Sequence, residues 1–391
     1  MTKNIQTILT PFLTISYVFG LRIANLSIDL SKLWFSFLYM LLVWLIYYFL
    51  STDTLVYSIH ESYPIEYHIC YWLEMFMTSL SIVFGIYHNK KFQNCLKRFD
   101  IVDNTLLKLG TVTDYDKLHK KSLWIVLGWF VVVISINSIT ALFVKAEHDC
   151  DILTAMIVVF TRNYSFHINA IGDLTTATIL GYIGLKFDQI NKHLQDLTGD
   201  DRSGIKLTSK NFMIHSHRHR LSKALSSQCI IWTVIHLQLE LRKISCEIDS
   251  IFGTQMSLKM ACYFGWLAFE LRSIFYGILI DNYIKTDKIM NAAMNLLWFF
   301  HNVSKFLLIN YVCETVSNKA SATGNLMNKL MYSNCDVKVR EIISQFSLQM
   351  AYAPLRFCGI GFFQFGFKFI HKFIMSLATV SVIVIQAGED K

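Results

Sequence analysis

Ionisable and aromatic side chains set inside long apolar runs are where this sequence has chemistry to offer. Glu74 interrupts the run 67–87, Arg162 and His167 the run 152–184, and Glu270 and Arg272 the run 252–280. Asp173, Lys259 and Lys305 lie in runs of the same kind. A charge at membrane depth is costly unless it is paired or meets water. Aromatic and imidazole side chains accompany these groups: Tyr71, Trp72, Trp266, Tyr276, Trp298 and His301. Apolar walls with a few convergent polar groups suit a small ligand. The same residues equally suit buried ion pairs and the core of a helix bundle, and both readings stand at this point.

Other chemistries find little support. No phosphate-binding G-x-x-x-x-G-K-[ST], zinc-binding H-E-x-x-H or nucleophilic G-x-S-x-G occurs, and Gly359 and Gly361 do not continue into a dinucleotide fingerprint. The expectation is a protein that is not an enzyme and holds no cofactor. His215, His217 and His219 alternate among arginines, which reads as a solvated basic face rather than a metal site. The nine cysteines contain no C-x-x-C pair, so neither zinc nor a disulfide framework is expected. Asn163 and Asn302 begin formal glycosylation sequons inside apolar runs, where use is not expected.

The elements that must position these groups follow from composition. Of 391 residues, 53% are apolar and only 16% charged, and mean hydropathy is +0.40. Soluble domains carry about a quarter charged residues, so this chain reads as an all-α polytopic membrane protein. Seven apolar runs, near 33–50, 67–87, 122–144, 152–184, 252–280, 291–313 and 373–387, supply seven spans. Another apolar aromatic run, 357–367, precedes the last and suggests a final span in two helical pieces around Lys368 and Lys372. No signal-peptide pattern opens the chain, because Pro11 and polar residues interrupt 5–20 and no A-x-A-like site follows.

Loop charge sets the expected orientation. Residues 88–121 and 192–223 are rich in Lys and Arg, whereas 51–66 contain neither. The positive-inside rule places the N-terminus in the cytoplasm, and seven spans then place the C-terminus outside. That topology is the inverse of a G-protein-coupled receptor. The net charge of +8 belongs to these loops, which set topology and touch anionic lipid, and it does not imply nucleic-acid binding.

The C-terminal third is the most specific. Residues 313–350 read as a helix, a polar turn and an amphipathic helix with Ile342, Ile343, Phe346 and Met350 on one stripe. On the last helix Thr379, Ile383 and Gln386 share a face. Such a polar stripe lines a water-filled path if several chains bring their last helices together, or packs against neighbouring helices of one chain.

These residues resemble the insect gustatory receptors, relatives of the odorant receptors. That family carries Thr-Tyr-x-x-x-x-x-Gln-Phe in its last span, and here Thr379 and Gln386 keep the spacing while Val380 and Ala387 replace the aromatics. REIISQFSLQM and PLRFCGIGFFQFGFKFI resemble the preceding segment, LKFDQINKHLQ the end of span 4, and PFLTISYVFGL the amphipathic segment before span 1.

The resemblance implies a tetrameric, tastant-gated, non-selective cation channel, homomeric or heteromeric, in the plasma membrane of chemosensory neurons. It implies a cytoplasmic amphipathic segment over 1–32 and six spans with an outer ligand pocket over 33–312. Anchor helices and a pore-lining seventh span would occupy 313–391. By motif position Thr379, Ile383 and Gln386 would line the pore, with Gln386 and Ala387 at the gate. Ala387 in place of Phe leaves a smaller apolar ring, so the constriction falls to Ile383 or Ile385, or to a partner subunit.

Overall fold

The computed structural model describes residues 4–19, 30–51, 65–204, 216–279, 285–331 and 337–389. Ten helices follow one another among these residues: α1 (Ile5–Val18), α2 (Leu30–Ser51), α3 (Ile65–Tyr87), α4 (Asn89–Lys108), α5 (Tyr115–His148), α6 (Ile152–Gly204), α7 (Ser216–Leu279), α8 (Lys285–Met331), α9 (Val337–Tyr352) and α10 (Phe367–Glu389). Each of the seven expected runs falls within a helix over its described residues. Tyr67–Tyr87, Tyr115–His148 and Ala292–Met331 are long and apolar enough to cross a membrane by length and composition, and Phe37–Leu50 is a shorter apolar stretch. The outward faces suit lipid: Leu38, Leu41, Leu42 and Leu45 on α2 and Leu127, Val131 and Ile134 on α5 are all exposed.

Local chemistry fixes the helix ends. Asp114 opens α5 by accepting from Lys117 N at 2.9 Å. Lys145 and His148 sit in its last turn, against the negative end of the dipole. Asp149 then takes a left-handed conformation (φ 48°), as a polar residue just past a helix end can.

Helices α6, α7 and α8 run for 53, 64 and 47 residues. At ~1.5 Å per residue each is far longer than a ~30 Å hydrocarbon layer. Their extensions build a second layer with α4 and α9. Phe92, Cys95, Leu96, Phe99, Val102 and Leu106 form the buried stripe of α4. It meets Leu237, Leu241 and Ile244 of α7 in a core that also takes Ile343 and Phe346 of α9.

Ion pairs bind the edges of this layer. Arg98 reaches Glu240 at 2.6 Å and Glu247 at 2.5 Å. Buried Lys186 meets Asp103 at 2.7 Å, whose other oxygen accepts from Tyr115 and Tyr182. We call the end of the bundle away from this layer its upper end.

One expectation fails at 357–367. The run is not a helical piece but a hairpin, with β1 (Cys358–Gly359) antiparallel to β2 (Phe363–Gln364). Its glycines explain the difference. Gly361 (φ 77°) turns the hairpin, and a Cβ on Gly359 would come within 2.6 Å of Ser257 Oγ. The last span is therefore one helix, α10, entered from a hairpin.

Candidate functional site

Four helices turn polar and aromatic faces toward one another in the upper half. On α3 the buried face is Tyr67, Cys70, Tyr71 and Glu74, and on α6 it includes Arg162, Asn163, Phe166 and His167. On α7, Trp266 and Glu270 are one turn apart and both buried. On α8, Trp298, His301, Asn302 and Lys305 repeat at helical spacing.

Aromatic edges join these faces. The Trp266 ring lies 5.4 Å from Tyr67 and 4.9 Å from Phe166 between centroids. Phe166 lies 5.7 Å from Trp298, which lies 5.7 Å from His301. The Arg162 guanidinium stands 5.9 Å from the Tyr67 ring, and the Lys305 ammonium 5.3 Å from Tyr263.

The floor of this region is an ionic lattice. Lys259 Nζ donates to Asp173 Oδ1 at 2.6 Å and to Asn169 O at 2.9 Å, and the Tyr263 hydroxyl donates to the other Asp173 oxygen. Asn169 Nδ2 donates to Glu74 Oε1 at 2.8 Å. Glu74 is thus held in the floor rather than in a wall.

Above the floor the bonding is incomplete. Asn302 Nδ2 donates to Glu270 Oε1 at 2.8 Å, and His167 Nε2 pairs with Asn137 Oδ1 at 3.1 Å. Yet Trp266 Nε1, His167 Nδ1, Glu270 Oε2, His301 Nε2 and Asn302 Oδ1 are buried with no hydrogen-bond partner. Native interiors leave few such atoms, so a cluster of five calls for a ligand or water. Donors and acceptors are both present, and the walls between them are aromatic.

The structure therefore brings together Tyr71, Arg162, His167, Trp266, Glu270, Trp298 and His301. Trp72 stands apart: it is 65% exposed, because it lies about 100° round α3 from the buried Tyr71. The Tyr276 and Ala387 side chains and the His215–His219 cluster lie outside the described side chains. Asn137, Asn163, Phe166 and Asn302 are the residues that sequence reading missed. Asn302 shares the helical spacing of Trp298, His301 and Lys305 on α8, and it also begins a sequon. Buried and bonded, Asn163 and Asn302 are closed to glycosylation in this fold.

The second feature is the root of α10. Its buried edge sets Phe373 against Phe306 of α8, stacked at 4.2 Å, and against Phe264 of α7 at 5.4 Å. Gly366 N donates to Asn310 Oδ1 at 3.1 Å and Phe367 N to Glu314 Oε2 at 3.3 Å. Asp249 of α7 accepts from Cys358 N at 3.2 Å with both oxygens, and burial pushes its carboxyl up to about 6. Thr379, Ile383 and Gln386 lie on the exposed side of α10. Thr379 Oγ1 donates to Met375 O of its own helix at 3.0 Å.

The structure is a mostly helical bundle with long central helices and a polar, aromatic upper region. The chain matches the family described as 7tm chemosensory receptor over residues 9–390, and it belongs to that family. Among Drosophila melanogaster proteins it is 20% identical to gustatory receptor 28b over 313 residues, covering 76% of this chain and 64% of that one. It thus spans just under two thirds of that relative's length. It is 22% identical to gustatory receptor 28a, covering 79% and 73%.

In fold it resembles the insect olfactory receptor OR5 from Machilis hrabei, with a TM-score of 0.53 at 13% identity, over 98% of this chain and 97% of that one. The same receptor in complex with eugenol gives 0.50 at 12%. The family is one of chemosensory receptors, not of enzymes, and its apolar helices make a multi-pass membrane protein.

Proposed function

We propose that this chain is a gustatory receptor subunit, a tastant-gated, non-selective cation channel at the plasma membrane of chemosensory neurons. Its N-terminus lies in the cytoplasm, as the basic loops favour, so the upper cluster faces outside. The tastant enters between α3, α6, α7 and α8 and completes the five open hydrogen-bonding atoms. That cluster is the observation that carries the reading. Tyr71, Arg162, His167, Trp266, Glu270, Trp298 and His301 form the site.

Four chains, alike or mixed, set the exposed faces of α10 around one axis. Thr379, Ile383 and Gln386 line the pore, and Gln386 and Ala387 stand at the gate. Ligand binding opens it through its greater affinity for the open state. The α8 helix carries both His301 to Lys305 in the site and Asn310 and Glu314 at the root of α10, which supports a direct mechanical link.

The test is whole-cell current from cells expressing this chain alone, challenged with sugars and plant bitter compounds. A dose-dependent inward current is expected. Silence across the panel, with surface expression confirmed, would overturn the homomeric channel.

A further inference from the structure

Below the ionic floor a cavity of about 90 Å³ opens among α1, α3, α6 and α7, with Phe92 of α4 at its edge. Phe84, Phe92, Ile168, Ile251 and Phe252 supply apolar walls. Asn169 lines it, is only 4% exposed, and has an Oδ1 with no partner.

The orientation of that amide is fixed by its neighbours. The Thr78 hydroxyl donates to Glu74 O at 2.9 Å, so toward Asn169 it can only accept. The Asn169 atom facing it at 3.0 Å must therefore be Nδ2, whose other hydrogen goes to Glu74. Both amide hydrogens are used, and Oδ1 is left asking for a donor.

Several of the other polar wall groups have partners. Gln255 Nε2 donates to Ser81 Oγ at 2.5 Å, and Ser81 donates to Met77 O at 2.8 Å. Thr175 donates to Ile171 O of its own helix. No Asp, Glu, Lys or Arg lines the cavity. Lys259, behind Gly172, is neutralised by Asp173. His88 is held below its ordinary pKa by burial and by Lys91, and so is neutral at pH 7. A charged ligand would find no counter-charge here. Water alone would satisfy Asn169 but leave the aromatic walls wet.

We propose that this cavity is a second binding site, separate from the tastant site, for a neutral amphiphile. Such a molecule presents one hydroxyl to Asn169 Oδ1 and lays an apolar body against Phe84, Phe92 and Phe252. A membrane sterol and a fatty alcohol taken up from outside share this chemistry.

The test is photolabelling of the full-length protein in phosphatidylcholine nanodiscs with 1-dodecanol carrying a mid-chain diazirine, mapped by mass spectrometry. Adducts are expected on the cavity segments of α3 and α7. Labelling should fall about tenfold for the matching diazirine hydrocarbon, which lacks the hydroxyl. Thr175→Phe should abolish it, and Gly85→Leu fills the same space from α3 should the first variant not fold.

Competition by cholesterol built into the nanodisc assigns the site to a membrane lipid. Competition only by 1-dodecanol added from water assigns it to an external alcohol. No adducts, equal labelling by the hydrocarbon, insensitivity to both variants, or no competition by either molecule would each overturn the proposal. Because labelling needs no current, its result is independent of whether the chain is a tastant-gated channel.

Discussion

Glu314 of α8 holds the first backbone N–H of α10, its Oε2 standing 3.3 Å from Phe367 N. A carboxylate there satisfies a donor that the helix cannot and faces the positive end of its dipole. Gly366, just before, has φ 137°, and a Cβ on it would overlap that carboxylate. Three turns above Glu314, the same helix presents Asn302 to Glu270. The same helix thus touches both the upper site and the root of α10.

Glu314→Ala should remove this cap at a cost of about 1 kcal/mol. In cells the tastant concentration for half-maximal current should shift severalfold, with surface expression retained. Glu314→Gln keeps an acceptor and should shift it less. Equal responses from wild type and both variants would separate this contact from gating.

Asp249 predicts a pH dependence. Its carboxyl titrates near 6 in the fold, against about 3.9 when solvated. The folded state therefore binds more protons, so this contribution to stability is full below about pH 4 and is lost as pH rises through about 6. Asp249→Asn mimics the protonated form and still accepts from Cys358 N. Thermal scans of purified protein should show the variant more stable than wild type at pH 7.5, with the gap roughly halved at pH 5 and closed near pH 4. A gap that widens at acid pH would reverse the sign and refute the assignment.

The Lys259–Asp173 pair should behave as a unit. Lys259→Met alone leaves a buried carboxylate without its cation, at a cost of about 3–5 kcal/mol. The double variant Lys259→Met with Asp173→Leu should recover much of that loss. Fluorescence-detected size exclusion after heating gives the comparison, and additive losses would contradict coupling.

In the upper site, Trp298→Ala should raise the half-maximal tastant concentration by about tenfold or more, as loss of a central aromatic anchor does. Glu270→Leu should act in the same direction, because it removes the open Oε2 and strands Asn302. Trp72→Ala, on the exposed side of α3, should leave potency near wild type. Full potency in Trp298→Ala would move the ligand elsewhere.

The spans were legible because uncharged runs of this length have few other uses, and each sits in a helix. The extensions of α6 and α7 were not, since charged amphipathic stretches such as 216–250 resemble basic loops, whereas the extension of α8 was expected as a helix from 313. The hairpin at 358–364 was written in Gly359, Gly361 and Gly366, but the phenylalanines between them read as more of the span. In the upper site, charge at membrane depth pointed to Glu270 and Arg162. Helical phase, not residue type, separates buried Tyr71 from exposed Trp72, and phase requires knowing which neighbours α3 meets. Asn137 gave no signal at all and Asn163 only a sequon, because a lone amide in a span becomes meaningful only when its partner is seen.

The most direct test of a pore lined by α10 is the reversal potential of tastant-evoked current in Gln386→Glu. A ring of carboxylates at the mouth should favour divalent cations and move the reversal potential in calcium-containing solution to more positive values. An unchanged reversal potential, with robust current from the variant, would contradict a pore built on Gln386.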